Sequence, residues 1–141
     1  YVLVLSGVRD AHWNSLAADI IRLGIVDVVL DFGFIDYSEV VGLYRGADAI
    51  VFPTEFEGFG LPVAEALASG CAVITSAGTS MEEFAAGRAK LVNPLDEDGI
   101  LRALCDRARE PMLSQPEGGG YTRTWRDVAI ATTEVYDRAS L

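Results

Sequence analysis

The chain has 141 residues, half of them apolar, a net charge of −10 and two cysteines. That length suits one domain with a real core and is too short for two. The charge argues against nucleic acid and anionic lipid as electrostatic partners. No window is long and uniform enough to span a bilayer, and two cysteines make no disulfide framework.

The predicted elements alternate. Tyr1–Leu5 reads as a strand closed by Gly7, with no signal or transit segment ahead of it, so we read the chain as a fragment that opens directly into a sheet. Ser15–Leu23 carries apolar residues at helical spacing and stops at Gly24. Val28–Phe32 is a second strand leading to Gly33, and Tyr37–Arg45 a short helix ended by Gly46. Ala49–Phe52 reads as a buried parallel strand, followed by a glycine-rich turn and a helix that carries Glu65 and runs to Gly70. Ala72–Thr75 is the fourth strand, Ser80–Ala86 a brief helix and Leu91–Val92 a weak last strand. Asp96–Glu110 and Trp125–Ala139 read as long amphipathic helices, joined by a linker with Pro111, Pro116 and Gly118–Gly120. Short β-rich runs separated by helices predict an α/β fold: a doubly wound, Rossmann-like parallel sheet covered on both faces, in one domain over 1–141.

In such sheets ligands bind beyond the carboxyl ends of the strands. The segment from Pro53 to Gly70 lies at such an end, as does Asp31–Asp36. Glu57 and Glu65 bracket Gly58 and Gly60, which let the backbone approach a ligand and leave nearby amides to face an anion. Pro62 fits the first turn of the helix, where a missing N–H costs nothing. An acid on each side of an anion-binding turn suits a ligand with phosphate in its middle and hydroxyls at both ends, the shape of a nucleotide-sugar.

Other residues have plainer readings. Cys71 reads as a small buried hydrophobe at the mouth of a strand. His12 has no Cys or His at ligand spacing and reads as structural or exposed. Trp125 and Tyr136 read as core residues pinning the last helix. Asp96–Glu97–Asp98 reads as a helix cap, and Glu83 serves either a helix start or a ligand.

Glu57-Gly-Phe-Gly-Leu-Pro-Val-Ala-Glu65 resembles the E-x(7)-E signature of retaining family 4 glycosyltransferases, which have the GT-B fold of two Rossmann-like domains. Its surroundings are similar to that family too: Leu5-Ser-Gly7, Asp31-Phe-Gly-Phe34, Tyr44–Asp48, Val51–Thr54, Gly70–Ile74, Glu83–Pro94, Trp125–Ala129 and Val135-Tyr136. The resemblance covers nearly the whole chain. It implies a C-terminal donor-binding domain of an enzyme that moves a sugar from a nucleotide-diphosphate sugar to a saccharide or lipid-linked acceptor. Glu57, the catalytic candidate, would contact hydroxyls of the donor sugar and Glu65 the ribose hydroxyls. The amides of Gly58, Phe59, Gly60 and Leu61 would hold sugar and distal phosphate. Phe34 would lie against the base, with Gly7 at the turn of the first strand.

The resemblance further implies no cofactor and no metal, and the Asp-x-Asp run that the chain does carry, Asp96-Glu97-Asp98, reads as a helix cap outside the proposed site. The family's diphosphate-gripping cations come from a strand and loop ahead of the position of Tyr1. The N-terminal acceptor domain and first strand–helix unit would therefore be missing partners, and this fragment is expected to be inactive alone. The span between Pro94 and Trp125 is also shorter than the family's usual one. The cytoplasm, with peripheral association at the inner membrane face, is the expected location.

Two other classes remain open. An oxidoreductase Rossmann-like domain wants G-x-G-x-x-G after the first strand, where this chain has Ser6-Gly-Val-Arg-Asp-Ala11. A non-catalytic receiver-type module wants an acidic cluster with a phosphorylatable Asp, for which Asp31 or Asp48 is a thin candidate.

Overall fold

The computed structural model describes residues 1–110, 122 and 124–139. The expected linker, apart from Glu110 and Thr122, lies outside the described residues. The chain divides into two compact units, Tyr1–Gly42 and Leu43–Leu141.

In the first unit, β1 (Leu3–Leu5) pairs in parallel with β2 (Val29–Asp31), Leu3 opposite Val29 and Leu5 opposite Asp31. The crossover between them is α1 (Trp13–Arg22), which ends at Gly24 in the left-handed region, followed by a 3₁₀ turn over Val26–Val28. Leu3, Val4 and Leu30 are exposed, so cover on both faces is not found here. A unit of this size with a single complete helix has too little chain to bury two faces of a strand pair.

The second unit holds a sheet in the order β3-β4-β5, all parallel, formed by Ile50–Phe52, Val73–Ser76 and Lys90–Val92. Helix α2 (Tyr37–Gly46) leads into it, and α3 (Leu61–Ala68), α4 (Glu82–Ala85) and α5 (Glu97–Arg109) follow β3, β4 and β5 in turn. The central strand β4 is buried at all four positions, whereas β3, expected to be buried, is only partly so. Ile74 of β4 and Val92 of β5 pack with Ala103 and Ile100 of α5. Helix α3 buries Val63, Ala64, Ala66 and Leu67, each apolar side chain the size of valine or leucine contributing about 1.5–3 kcal/mol.

Two details fix where β3 starts and α5 begins. Arg107 of α5 donates from Nε to the Asp48 carbonyl at 3.0 Å. Asp96 caps α5, its Oδ1 accepting from the Gly99 N–H at 3.0 Å, as the acidic run predicts. Cys71 is buried against the carbonyls of Ala72 and Ala47, and burial pushes its thiol pKa up, in keeping with a small hydrophobe.

The last helix, α6 (Trp125–Ala139), forms over the predicted span but corrects one expectation. Trp125 and Tyr136 are 77% and 68% exposed and do not belong to the core. Val128 and Ala131 are the half-buried positions of this helix among the described residues. The periodicity identified an apolar stripe, but periodicity says nothing about what lies opposite it.

Candidate functional site

The loop after β3 is built against the segment that follows β4. Thr54 N–H donates to the buried Ser76 Oγ at 2.8 Å, and Thr54 Oγ1 donates to the Phe56 carbonyl at 3.0 Å. That turn lifts Phe56 into solvent, 90% exposed. The Glu57 carbonyl accepts from Ser80 Oγ at 2.8 Å, and the Phe59 ring stacks on Phe84 of α4 with centroids 5.1 Å apart. Gly60 then takes the left-handed conformation (φ 85°, ψ 52°) directly over Met81. A Cβ at Gly60 would lie 2.6 Å from Met81 Sδ, and Met81 is wholly buried, with Thr75 Oγ1 3.3 Å from the same sulfur. Glycine is therefore demanded twice at position 60, by conformation and by space.

Helix α3 opens immediately after this turn. Pro62 stands in its first turn as predicted, the N-cap offers no side chain, and the N–H groups of Val63 and Ala64 return to the Gly60 carbonyl at 3.0 and 3.1 Å. Positive partial charge from the helix dipole gathers at this end.

The two acids have different surroundings. Glu57 is half-buried, and its Oε1 accepts from the Gly58 N–H at 3.1 Å, so that amide already has a carboxylate partner. Glu65 lies one turn into α3, half-buried on a helix whose neighbouring residues are packed. Its Oε2 accepts from the Tyr44 hydroxyl at 3.3 Å. Phe59 and Leu61 are partly exposed beside them.

Gly7 and Phe34 belong to the first unit. Gly7 N–H donates to the Gly33 carbonyl at 2.8 Å, tying the turns that follow β1 and β2. Gly7 lines a cavity of about 250 Å³ together with Arg9, His12, Trp13 and Asp31. Asp31 Oδ1 accepts from Gly33 N–H at 2.9 Å, and Oδ2 pairs with Arg9, whose guanidinium lies over the Trp13 ring at 4.8 Å. The Gly33 N–H above all, and then Arg9, hold the Asp31 carboxyl below its ordinary pKa against an opposing effect of desolvation. Phe34 projects into solvent, 80% exposed. Among the described residues, no group of three or more His, Cys, Asp or Glu is placed to hold a metal, and no helix is long and apolar enough to cross a membrane.

Sequence reasoning gave no role to Tyr44, Ser76, Ser80, Met81 or Phe84. A hydroxyl or a thioether in a short loop carries no periodic signal, and nothing in the local pattern marked these residues.

Comparison with known proteins bears on the same region. Residues 1–102 match the family described as glycosyl transferases group 1. The chain is 33% identical over 131 residues to the MMP alpha-(1->4)-mannosyltransferase of Mycolicibacterium hassiacum, covering 85% of this chain and 31% of that protein. It is 35% identical over 125 residues to the D-inositol 3-phosphate glycosyltransferase of Streptomyces avermitilis, covering 84% and 27% respectively. The sucrose-phosphate synthase of Thermosynechococcus elongatus superposes with a TM-score of 0.78 at 25% identity, over 97% of this chain and 38% of that one. The chain thus spans about a third of the length of curated relatives it matches. The matched residues contain both acids, the left-handed glycine and the helix they frame, and the chain belongs to the group 1 glycosyltransferases, with the α/β architecture of a GT-B enzyme.

Proposed function

We propose that this chain supplies the donor-binding surface of a retaining glycosyltransferase, and that a sugar carried on a nucleoside diphosphate is transferred there to a saccharide or lipid-linked acceptor. The observation that carries the reading is the left-handed Gly60 that opens a helix without a side-chain cap, with the half-buried Glu57 ahead of the turn and the half-buried Glu65 one turn into the helix. An ionised carboxylate only accepts hydrogen bonds, so each acid suits vicinal hydroxyls: Glu57 those of the sugar, Glu65 those of the ribose. Between them the start of α3 offers the diphosphate the Leu61 N–H and the positive end of the helix dipole, the Val63 and Ala64 N–H groups being turned back to the Gly60 carbonyl. Negative charge grows on the distal phosphate as the glycosidic bond breaks, and the helix end stabilises it.

Glu57 must give up the Gly58 amide, or share it, when it meets a sugar hydroxyl. In this reading Gly58, Phe59, Gly60 and Leu61 carry the sugar and distal phosphate; in the first unit Phe34 is the candidate for the base and Gly7, at the turn after the first strand, a further donor-binding candidate. No metal or cofactor is required, and the acceptor is held by an N-terminal domain that completes the enzyme. Several relatives are named mannosyltransferases, which makes a mannosyl donor the first to test. A cytoplasmic protein working at the inner membrane face accords with relatives named for O-antigen and lipopolysaccharide core synthesis.

The test is calorimetric titration with GDP, UDP and ADP and their sugars. The parent chain is expected to bind one nucleoside diphosphate, and the Glu57→Ala/Glu65→Ala double variant to lose at least about tenfold in affinity, the worth of one hydrogen bond to a charged group. Equal binding by parent and double variant overturns the assignment.

A further inference from the structure

We infer that Tyr44 is a positioning residue for the donor site: its hydroxyl holds Glu65 in the orientation that receives the ribose. The inference rests on the reading of Glu65 given above and concerns a residue to which that reading assigns nothing.

The argument starts from where Glu65 stands. Val63, Ala64, Ala66 and Leu67 are between 0% and 6% exposed, so the helix around Glu65 is packed on most of its circumference. A glutamate has three rotatable side-chain bonds and, left alone at a helix surface, spreads over many rotamers. Here one of its oxygens meets a donor, the Tyr44 hydroxyl, at 3.3 Å, at the long end of the range for such a contact. The donor is stiff. Tyr44 is 9% exposed in the last turns of α2, so its ring is fixed by packing and its hydroxyl is aimed rather than mobile.

The geometry divides the carboxylate's work. Oε2 spends one lone pair on the phenol, while Oε1 and the remaining lone pairs stay available to accept from two vicinal hydroxyls. An acceptor already oriented by its neighbour loses less freedom when ligand arrives, which is how a preorganised group gains affinity without touching the ligand. In this role Tyr44 reaches the ligand through Glu65, so its contribution to binding is expected only for ligands that use Glu65.

That last property gives the test. GDP, UDP and ADP are titrated beside their 2′,3′-dideoxy forms into the full chain, its Glu65→Gln and Tyr44→Phe variants and the double variant. Glu65→Gln is expected to weaken the ribo form and leave the dideoxy form unchanged. Tyr44→Phe is expected to do the same by about five- to tenfold, and to add little once Glu65 is already glutamine. Tyr44→Phe that weakens both forms equally, or neither, while Glu65→Gln still discriminates, overturns the positioning role and leaves the reading of Glu65 standing. Glu65→Gln that fails to discriminate overturns both. Should the phenylalanine variant not fold, 3,5-difluorotyrosine at position 44 keeps the ring. Ribo-selective loss of binding at the alkaline pH where the fluorinated phenol ionises then supports the role, and pH-independent selectivity overturns it.

Discussion

Gly60 sits where backbone and packing make the same demand. An alanine there must hold a left-handed φ of 85°, costing about 1–2 kcal/mol, and must also push back a methionine with nowhere to go, costing about 1–3 kcal/mol more. Urea denaturation of Gly60→Ala is expected to show a loss of about 3 kcal/mol. Met81→Ala in that background should remove the steric part only, so the two substitutions together cost less than their sum. A strictly additive pair would mean that the contact does not exist in solution. The conformation of the glycine, the proline in the first helical turn and the placement of the two acids around them were legible in the sequence because they are local: a strand, a tight turn and a helix start follow within a dozen residues. Tyr44 and Met81 were not, because each acts across about twenty residues of chain and nothing in their own neighbourhood announces the partner.

At the scale of elements, caps and glycine stops placed most helices to within a residue or two. Helix α5 is an instance: the acidic run predicted a cap and Asp96 makes it. Asp96→Ala is expected to destabilise the chain by about 1 kcal/mol in equilibrium denaturation, with the effect confined to α5 in hydrogen exchange. No change would reduce the cap to a surface contact with Arg102, which Asp96 also meets at 3.3 Å. Helix α6 shows the opposite limit. Its span was readable, but the burial of Trp125 and Tyr136 was not, since an apolar stripe is a property of one element and burial a property of two.

For the whole molecule, alternation of strands and helices gave the α/β class, and the exposed faces of β1 and β2 were beyond its reach. The first unit has an acid-sensitive tie that follows from its smallness. Asp31 bonds the Gly33 turn and Arg9, and its folded-state pKa lies below the ordinary 3.8. Ionised Asp31 therefore favours the folded state above that value, and the contribution disappears as pH falls through the folded-state pKa. Asp31→Asn is expected to be less stable than the parent at neutral pH, with the difference closing on acidification below 3.8. A gap that persists in strong acid would show that shape, not charge, is what Asp31 provides.

The bracing of one loop by Ser76, Ser80, Met81 and Phe84 has a practical corollary. Anyone randomising this protein to change what it accepts would naturally choose positions 57 to 65. Half of the mould that shapes those positions is cast some twenty residues downstream, and a library that stops at the signature leaves it untouched.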